Sequence, residues 1–345
     1  MIEKKEAPVK DTLFLKTLKG KQSSKTPIWF MRQAGRYLPE YLQVRSTTKN
    51  FLEFCYNPEK AAQVTLQPIT RFDFDAAIIF SDILVIPDAL GMNVKFIKNE
   101  GPKLQALKTP EDIENLQYNE ETLHPVYEAL LMARESLAEE KSLIGFAGAP
   151  WTLATYMIEG QGSKDYLATK KWAYQDEESF TKLIDKLTES VSKHLIRQVK
   201  YGADALQLFD SWAGVLTPDQ LSKWVIEPAK KIINNIKSEY PDVPVIGFPR
   251  GVGLFYKDYA IKTGVDAISF DQNMPCRWIK DNIDITVQGN LDPVLLLTDK
   301  NAAAEQAKRI VEVFEEKSFV FNLGHGILQH TPIENVEAVI KAVRG

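Results

Sequence analysis

Cysteine is nearly absent from this 345-residue chain: Cys55 and Cys276 are the whole complement. Two thiols cannot build a disulfide framework, and they exclude a four-thiolate metal site. Such usage fits a reducing, cytoplasmic compartment. Histidine is sparse too, with four residues. His325 and His330 stand five apart and match no His-Glu-x-x-His zinc motif, so no metal is expected. No apolar run approaches the roughly 20 residues needed to span a bilayer. The start, Met1-Ile2-Glu3-Lys4-Lys5-Glu6, lacks the apolar stretch of a signal peptide. Positive charge is not in excess either, with 42 Lys and Arg against 46 Asp and Glu, a net charge of −4. Nucleic acid and membrane are therefore not expected partners. An anionic ligand would require positive charge focused in one cleft. Phosphate-binding glycine loops and the Gly-x-Ser-x-Gly nucleophile elbow are also missing.

What the chain does have is a recurring short apolar run that ends in polar residues. The runs are Pro27–Arg32, Asp75–Asp82, Ser142–Pro150, Asp204–Ser211, Val243–Arg250, Asp266–Asp271, Ile285–Asp292 and Ser318–His325. Each is short and apolar on both faces, as buried parallel strands are. Helical patterns separate most of them. Over Glu177–Lys200, the residues Leu183, Leu187, Val191, Leu195 and Val199 mark one helical face. Capping boxes are expected at Thr217-Pro218-Asp219-Gln220 and Thr331-Pro332-Ile333-Glu334, with a weaker one at Thr109-Pro110-Glu111-Asp112. A helix is expected over Ile333–Val343. Eight strands alternating with helices predict an α/β fold of the (β/α)8 barrel type. The doubly wound sheet competes, but no Gly-x-Gly-x-x-Gly follows the first strand. No linker or repeat divides the chain, so residues 1–345 read as one domain.

Polar residues follow the apolar runs directly: Arg32, Asp82, Asp210, Ser211, Arg250, Asp271, Asn290, Asp292 and His325. In a barrel these C-terminal strand ends converge on one mouth, where active sites lie. The plainer alternative is that polar residues simply begin loops. Arg32 and Arg36, four apart around Gly35, suit an anion clamp, because guanidinium grips carboxylates in a fork. They equally suit surface pairing with Glu40, and Arg45 is close enough in sequence to join either arrangement. Asp82 ends a very apolar run and either pairs with Arg32 or Arg36 or receives a ligand's N–H groups. Tyr156, in the segment Gly145–Gly160, faces core or cleft. His325 sits between Gly324 and Gly326, which suits close backbone approach to a ligand. His124 and His194 read as structural.

The segments PIWFMRQAGRYLPEY (Pro27–Tyr41), DAAIIFSDILVIPDALGM (Asp75–Met92), GFAGAPWTLATYMIEG (Gly145–Gly160), QLFDSWAG (Gln207–Gly214), QGNLDP (Gln288–Pro293) and FNLGHGI (Phe321–Ile327) resemble the uroporphyrinogen decarboxylase family in sequence and order. The resemblance covers essentially the whole chain. Departures are small: Gln329 replaces a frequent proline, and Phe248–Gly251 falls in a variable run. The resemblance implies a distorted single-domain barrel and a homodimer. It implies removal of CO2 from the four acetates of uroporphyrinogen III, giving coproporphyrinogen III in haem biosynthesis, with no cofactor. It assigns Arg32, Gln33, Ala34, Gly35, Arg36, Arg45, Asp82, Tyr156, Ser211 and His325 to substrate binding. Met31, Ile78, Phe80 and Phe209 become apolar walls. Asp82 and Arg32 carry the catalytic roles: Asp82 accepts the pyrrole N–H groups and stabilises a cation. Arg32 is too weak an acid to donate a proton readily in water. It is read as acting on a bound carboxylate or as a relay, and the identity of the proton donor stays open. The rival readings are a zinc methyltransferase, which needs a His/Cys cluster, and a tetrapyrrole carrier, which does not need Asp82.

Overall fold

The computed structural model describes residues 11–23, 25–97 and 100–345. The charged start Met1–Glu6 lies outside them. The strands are β1 (Ala76–Ile78), β2 (Lys95–Ile97), β3 (Gly101–Lys103), β4 (Ser142–Gly148), β5 (Ala205–Asp210), β6 (Val245–Pro249), β7 (Ala267–Ser269), β8 (Thr286–Leu291) and β9 (Phe319–Leu323). Seven of them form one parallel sheet in the order β1-β4-β5-β6-β7-β8-β9. Every residue of these strands is buried apart from half-buried Phe146 and Phe209, as the apolar runs predicted. β2 and β3 form a separate antiparallel hairpin that the sequence reading did not anticipate. Its strands are three residues each, Lys-Phe-Ile and Gly-Pro-Lys, and none of these residues is fully buried, so no apolar run marks it.

The eighth expected run, Pro27–Arg32, does not become a strand. It contributes an isolated parallel bridge between Ile28 and Phe321 of β9. Phe321 N donates to Pro27 O at 2.9 Å, and Asp75 N donates to Ile28 O at 3.0 Å. The segment therefore lies between β9 and the start of β1. Side chains take over its backbone donors before a strand can extend. Phe30 N donates to Gln33 Oε1 and Met31 N to Asn322 Oδ1, both at 3.0 Å. Arg32 then enters the left-handed region at φ 62°.

One local device sets the register. Asp75, Asp204 and Asp266 each precede an alanine that opens a strand. Each carboxylate accepts the N–H of a residue on the neighbouring segment: Ile28 at 2.8 Å, Leu143 at 2.8 Å and Val245 at 2.7 Å. Inside the sheet a second polar connection crosses strands. Trp29 Nε1 donates to Gln288 Oε1 at 2.9 Å, and Gln288 Nε2 donates to Gln207 Oε1 at 3.1 Å and Ser269 Oγ at 3.2 Å. All these side chains are fully buried, so each bond satisfies a group that would otherwise be costly to desolvate.

The helix Glu177–Lys200 has the expected bounds and buries Leu183, Leu187, Val191 and Leu195. Gln198 pins it to β4, accepting from Phe146 N at 2.9 Å and donating to Phe146 O at 2.8 Å. The capping boxes fall out differently from expectation. Only Thr109 forms one, reciprocated by Asp112. Thr217 lacks the bond because Gln220 turns instead to Trp224 Nε1 at 2.6 Å. After Thr331 the helix begins one residue late, at Ile333, with Pro332 at the cap position. Among the described residues no helix is long and apolar enough to cross a membrane.

Candidate active site

The polar strand ends divide into two groups. Asp210, Asp271, Asn290 and Asp292 follow the plain reading. Asp210 accepts from Thr152 Oγ1 on the neighbouring helix and is 1% exposed. Burial pushes its carboxyl up to about 7. Asp271 accepts from Gly251 N, Tyr256 OH and Asn273 N. Asn290 Nδ2 donates to the carbonyls of Asp271 and Met274. Asp292 Oδ1 accepts from Val294 N in an exposed turn. Alternation explains part of the division. On β6, Gly247 faces Tyr259 of the helix layer, so Phe248 and Arg250 turn the opposite way.

Arg32, Asp82, His325 and Arg250 form the second group, and Tyr156 of a neighbouring helix joins them. Asp82 is half-buried, and its Oδ1 accepts from Leu84 N at 2.9 Å. Desolvation raises its pKa above the ordinary carboxylate value, while that N–H and the Arg32 guanidinium pull it down. No salt bridge joins Asp82 to Arg32 or Arg36. Among the described residues neither arginine has a carboxylate within 4 Å, and Glu40 is held instead by Arg71 at 2.7 and 2.9 Å. Tyr156 belongs to the cleft side. It is half-buried in the helix Pro150–Glu159, and its phenol pKa is raised by burial and by Asp82 and lowered by Arg32. His325 has its pKa lowered to about 3 by burial and then by Arg32 and Arg250. Its imidazole is therefore neutral, and Nδ1 is buried without a partner among the described residues.

The glycines beside His325 serve the protein itself, contrary to expectation. A Cβ at Gly326 would run into the Arg32 side chain, and one at Gly324 into the backbone of Gln272. Gly326 thus seats the Arg32 stem beside His325. Likewise a Cβ at Gly35 would meet Arg32 O at 2.8 Å, so this glycine tightens the Arg32 turn.

The remaining expected residues are placed as follows. Gln33 is fully buried, and its side chain holds Phe30 N and Ala76 O; its side-chain groups serve the backbone. Ala34 is half-buried against the core. Arg36 is exposed and, with Arg45, acts on buried Tyr41. Arg45 donates to Thr48 Oγ1 at 2.7 Å and lies 5.9 Å from the centre of the Phe54 ring. Ser211 follows β5, half-buried and without a hydrogen bond to the described residues. Met31 and Ile78 are buried. Phe209 lies 6.0 Å from Phe248, which lies 6.4 Å from His325, so an aromatic wall flanks the histidine. Phe80 instead centres a cluster with Tyr41, Phe51 and Phe54 at 4.6 to 5.9 Å, because its ring joins the outer helical segments to β1. Phe248 and Arg250 were not among the expected site residues, although Arg250 carried the same strand-end signal as the others.

Cys55 is buried in the helix Phe51–Cys55, and Cys276 donates from Sγ to Asn290 Oδ1 at 3.0 Å. Among the described residues no three His, Cys, Asp or Glu side chains are grouped to hold a metal ion.

A sequence model of the family described as Uroporphyrinogen decarboxylase (URO-D) matches residues 9–345. The chain is 51% identical over 323 residues to uroporphyrinogen decarboxylase of Rickettsia bellii (strain RML369-C), covering 93% of this chain and 95% of that one. It is also 51% identical over 329 residues to the Rickettsia africae (strain ESF-5) protein of the same name, covering 95% of each. Among solved structures, a methyltransferase from Methanosarcina mazei superposes with a TM-score of 0.79 at 21% identity, over 96% of both chains. A B12-independent methionine synthase from Shewanella sp. W3-18-1 gives 0.58 at 11% identity, over 83% of this chain and 85% of that one. These two likenesses concern the fold alone.

Proposed function

The chain belongs to the uroporphyrinogen decarboxylase family, and we propose that it removes CO2 from the four acetate side chains of uroporphyrinogen III, leaving methyl groups and giving coproporphyrinogen III. The observation that carries this reading is the proximity of Asp82, a half-buried carboxylate, to Arg32, a guanidinium that no acid neutralises among the described residues. The ligand such a pair fits is anionic at its edge and rich in N–H donors at its centre. A porphyrinogen with carboxylate arms has that character.

The chemistry follows from the charges. Loss of CO2 from an acetate arm leaves a carbanion unless its electrons have a sink. Protonation of the pyrrole ring carbon next to that arm makes the ring cationic. The C–C bond electrons then flow into the ring as CO2 departs, leaving an exocyclic methylene; a proton taken up at that carbon completes the methyl group, and loss of the proton first added to the ring carbon restores the pyrrole. Each acetate thus exchanges CO2 for one net proton. Ionised Asp82 accepts pyrrole N–H groups and lies beside the developing cation, which in turn lowers its pKa. Arg32 and Arg36 hold carboxylate arms, and Arg32 acts on the proton path through a bound carboxylate. Neutral His325, Tyr156 and Ser211 orient the reacting ring against the wall of Met31, Ile78 and Phe209. This scheme uses no metal and no organic cofactor.

We read the whole chain as one domain. The Pro27–Trp29 segment takes the eighth position and closes the sheet into a distorted barrel, and two cytoplasmic copies pair as a homodimer. Hydrogen bonds from Pro27–Ile28 to both β9 and the start of β1 support the closure.

The test is anaerobic incubation of metal-stripped protein with uroporphyrinogen III, with the oxidised products separated by carboxylate number. A ladder of seven-, six-, five- and four-carboxylate porphyrins is expected. Bound but unchanged octacarboxylate would favour the carrier reading and overturn this one.

A further inference from the structure

Arg250 is held as a site residue is held, yet the residues assigned from family resemblance do not include it. Its backbone is fixed from both sides. Arg250 N donates to Asp210 O at the end of β5, and Arg250 O accepts from Gly214 N, both at 3.0 Å. The next residue, Gly251, adopts φ 80° and donates to Asp271 Oδ2 at 2.8 Å. Gly214 and Gly251 pack so closely that a Cβ on Gly214 would lie 2.5 Å from Gly251 O. The side chain is treated in the opposite way. It is half-buried, and its Nε is fully buried without a hydrogen-bond partner among the described residues.

A structural arginine in such a place would have a carboxylate. Among the described residues none lies within 4 Å of the Arg250 guanidinium. The two nearby strand-end acids are engaged elsewhere, Asp210 with Thr152 and Asp271 with Gly251, Tyr256 and Asn273. Meanwhile the Arg250 charge acts on His325 and on buried Tyr166. A fixed backbone beneath an unpaired, partly desolvated guanidinium is a preorganised anion receptor.

We propose that Arg250 is a further substrate-binding residue of this site, gripping one carboxylate arm of the tetrapyrrole beside His325. The proposal rests on the decarboxylase reading. It adds a basic group, on the β6 side of the mouth, to those carried by the Arg32–Arg45 segment.

Its test is binding of uroporphyrinogen III, kept anaerobic, in an Asp82→Ala background, read before the slowed turnover of that variant consumes the ligand. Arg250→Gln is expected to weaken binding by about tenfold to a hundredfold, the loss typical of a hydrogen bond to a charged group. Arg250→Lys, which keeps the charge without the fork, is expected to restore a substantial part of it. Melting temperatures of both variants are expected to match the parent. In otherwise unaltered enzyme, Arg250→Gln is expected to raise KM more than it lowers kcat. Unchanged binding in Arg250→Gln would overturn the proposal, as would a loss that follows a lowered melting temperature and is not restored by lysine. Failure of the unsubstituted chain to produce the product ladder would defeat the decarboxylase reading, while this binding comparison still scores Arg250.

Discussion

Two residues of the proposed mechanism lead to measurable outcomes. In that mechanism Asp82 is ionised and accepts pyrrole N–H groups, and in the free chain its pKa is raised. A raised carboxylate is lost as a base when pH falls through its pKa, so kcat/KM is expected to decline on the acid side above the ordinary carboxylate range. Asp82→Ala is expected to lower kcat by about a hundredfold or more, the scale of a lost electrostatic stabiliser, with a much smaller change in substrate affinity. Equal losses in both would make Asp82 chiefly a binding residue. The second residue is Gly326. Because a Cβ there would displace Arg32, Gly326→Ala is expected to cost about tenfold or more in kcat/KM while the melting temperature changes little. Normal activity in Gly326→Ala would show that the Arg32 position is dispensable. The strand-end signal points to Arg32, Asp82 and His325, and the charge of Arg32 acts on both of the others; the same signal points to Ser211, which no contact joins to them among the described residues. The same signal also raises Asp210, Asp271 and Asn290, because alternation alone cannot tell a last residue facing the barrel interior from one facing the helices. The role of the glycines was misread for a related reason. A glycine marks a close approach without saying which atoms approach.

Among the elements, the aspartates that open β1, β5 and β7 are the clearest local device. Each carboxylate bonds a main-chain N–H on the neighbouring segment, which fixes one strand against the next where a slip would turn side chains to the wrong face. Asp266 also holds Lys237 at 2.8 Å. Asp266→Ala is expected to destabilise the fold by about 1–3 kcal/mol, because it orphans a buried N–H at Val245. Denaturant unfolding checks this, and a change below the error of the method would remove the register role. Seven of the eight strands were legible because buried parallel strands read as unbroken apolar runs. The eighth run carries the same pattern, yet Gln33 and Asn322 capture its backbone donors. Those captures come from residues 3 and 291 positions away, and the second is invisible to any local pattern. The capping boxes show the same limit, since Gln220 had a better partner in Trp224.

At the scale of the whole molecule, buried titratable groups set how stability follows pH. Asp210 titrates at about 7 in the folded chain, against 3.8 for an unperturbed aspartate. Its contribution is fully present below about pH 4 and is lost as pH rises through 7. His194, buried beside Tyr127, moves the other way, down to about 3. Its contribution is present above about pH 6.5 and is lost as pH falls. The two terms oppose each other over the same interval. Asp210→Asn removes one of them, so the melting temperature of the variant relative to the parent is expected to be higher at about pH 8 than at about pH 4.5. A difference that does not vary with pH would show that Asp210 does not titrate in this range.

The contact between the two ends of the chain also governs the order of assembly. Met31 waits for Asn322, 291 residues later, and Phe321 takes its bonds from the same early segment. During synthesis, emerging at roughly 5–20 residues per second, the nascent chain must hold the Pro27–Ile28 segment with an open edge until β9 has left the ribosome. An exposed parallel edge is a template for unwanted pairing. Arg32 and Arg36 put charge next to the waiting segment, and charge on an edge opposes such pairing throughout the period in which the chain is most exposed to aggregation.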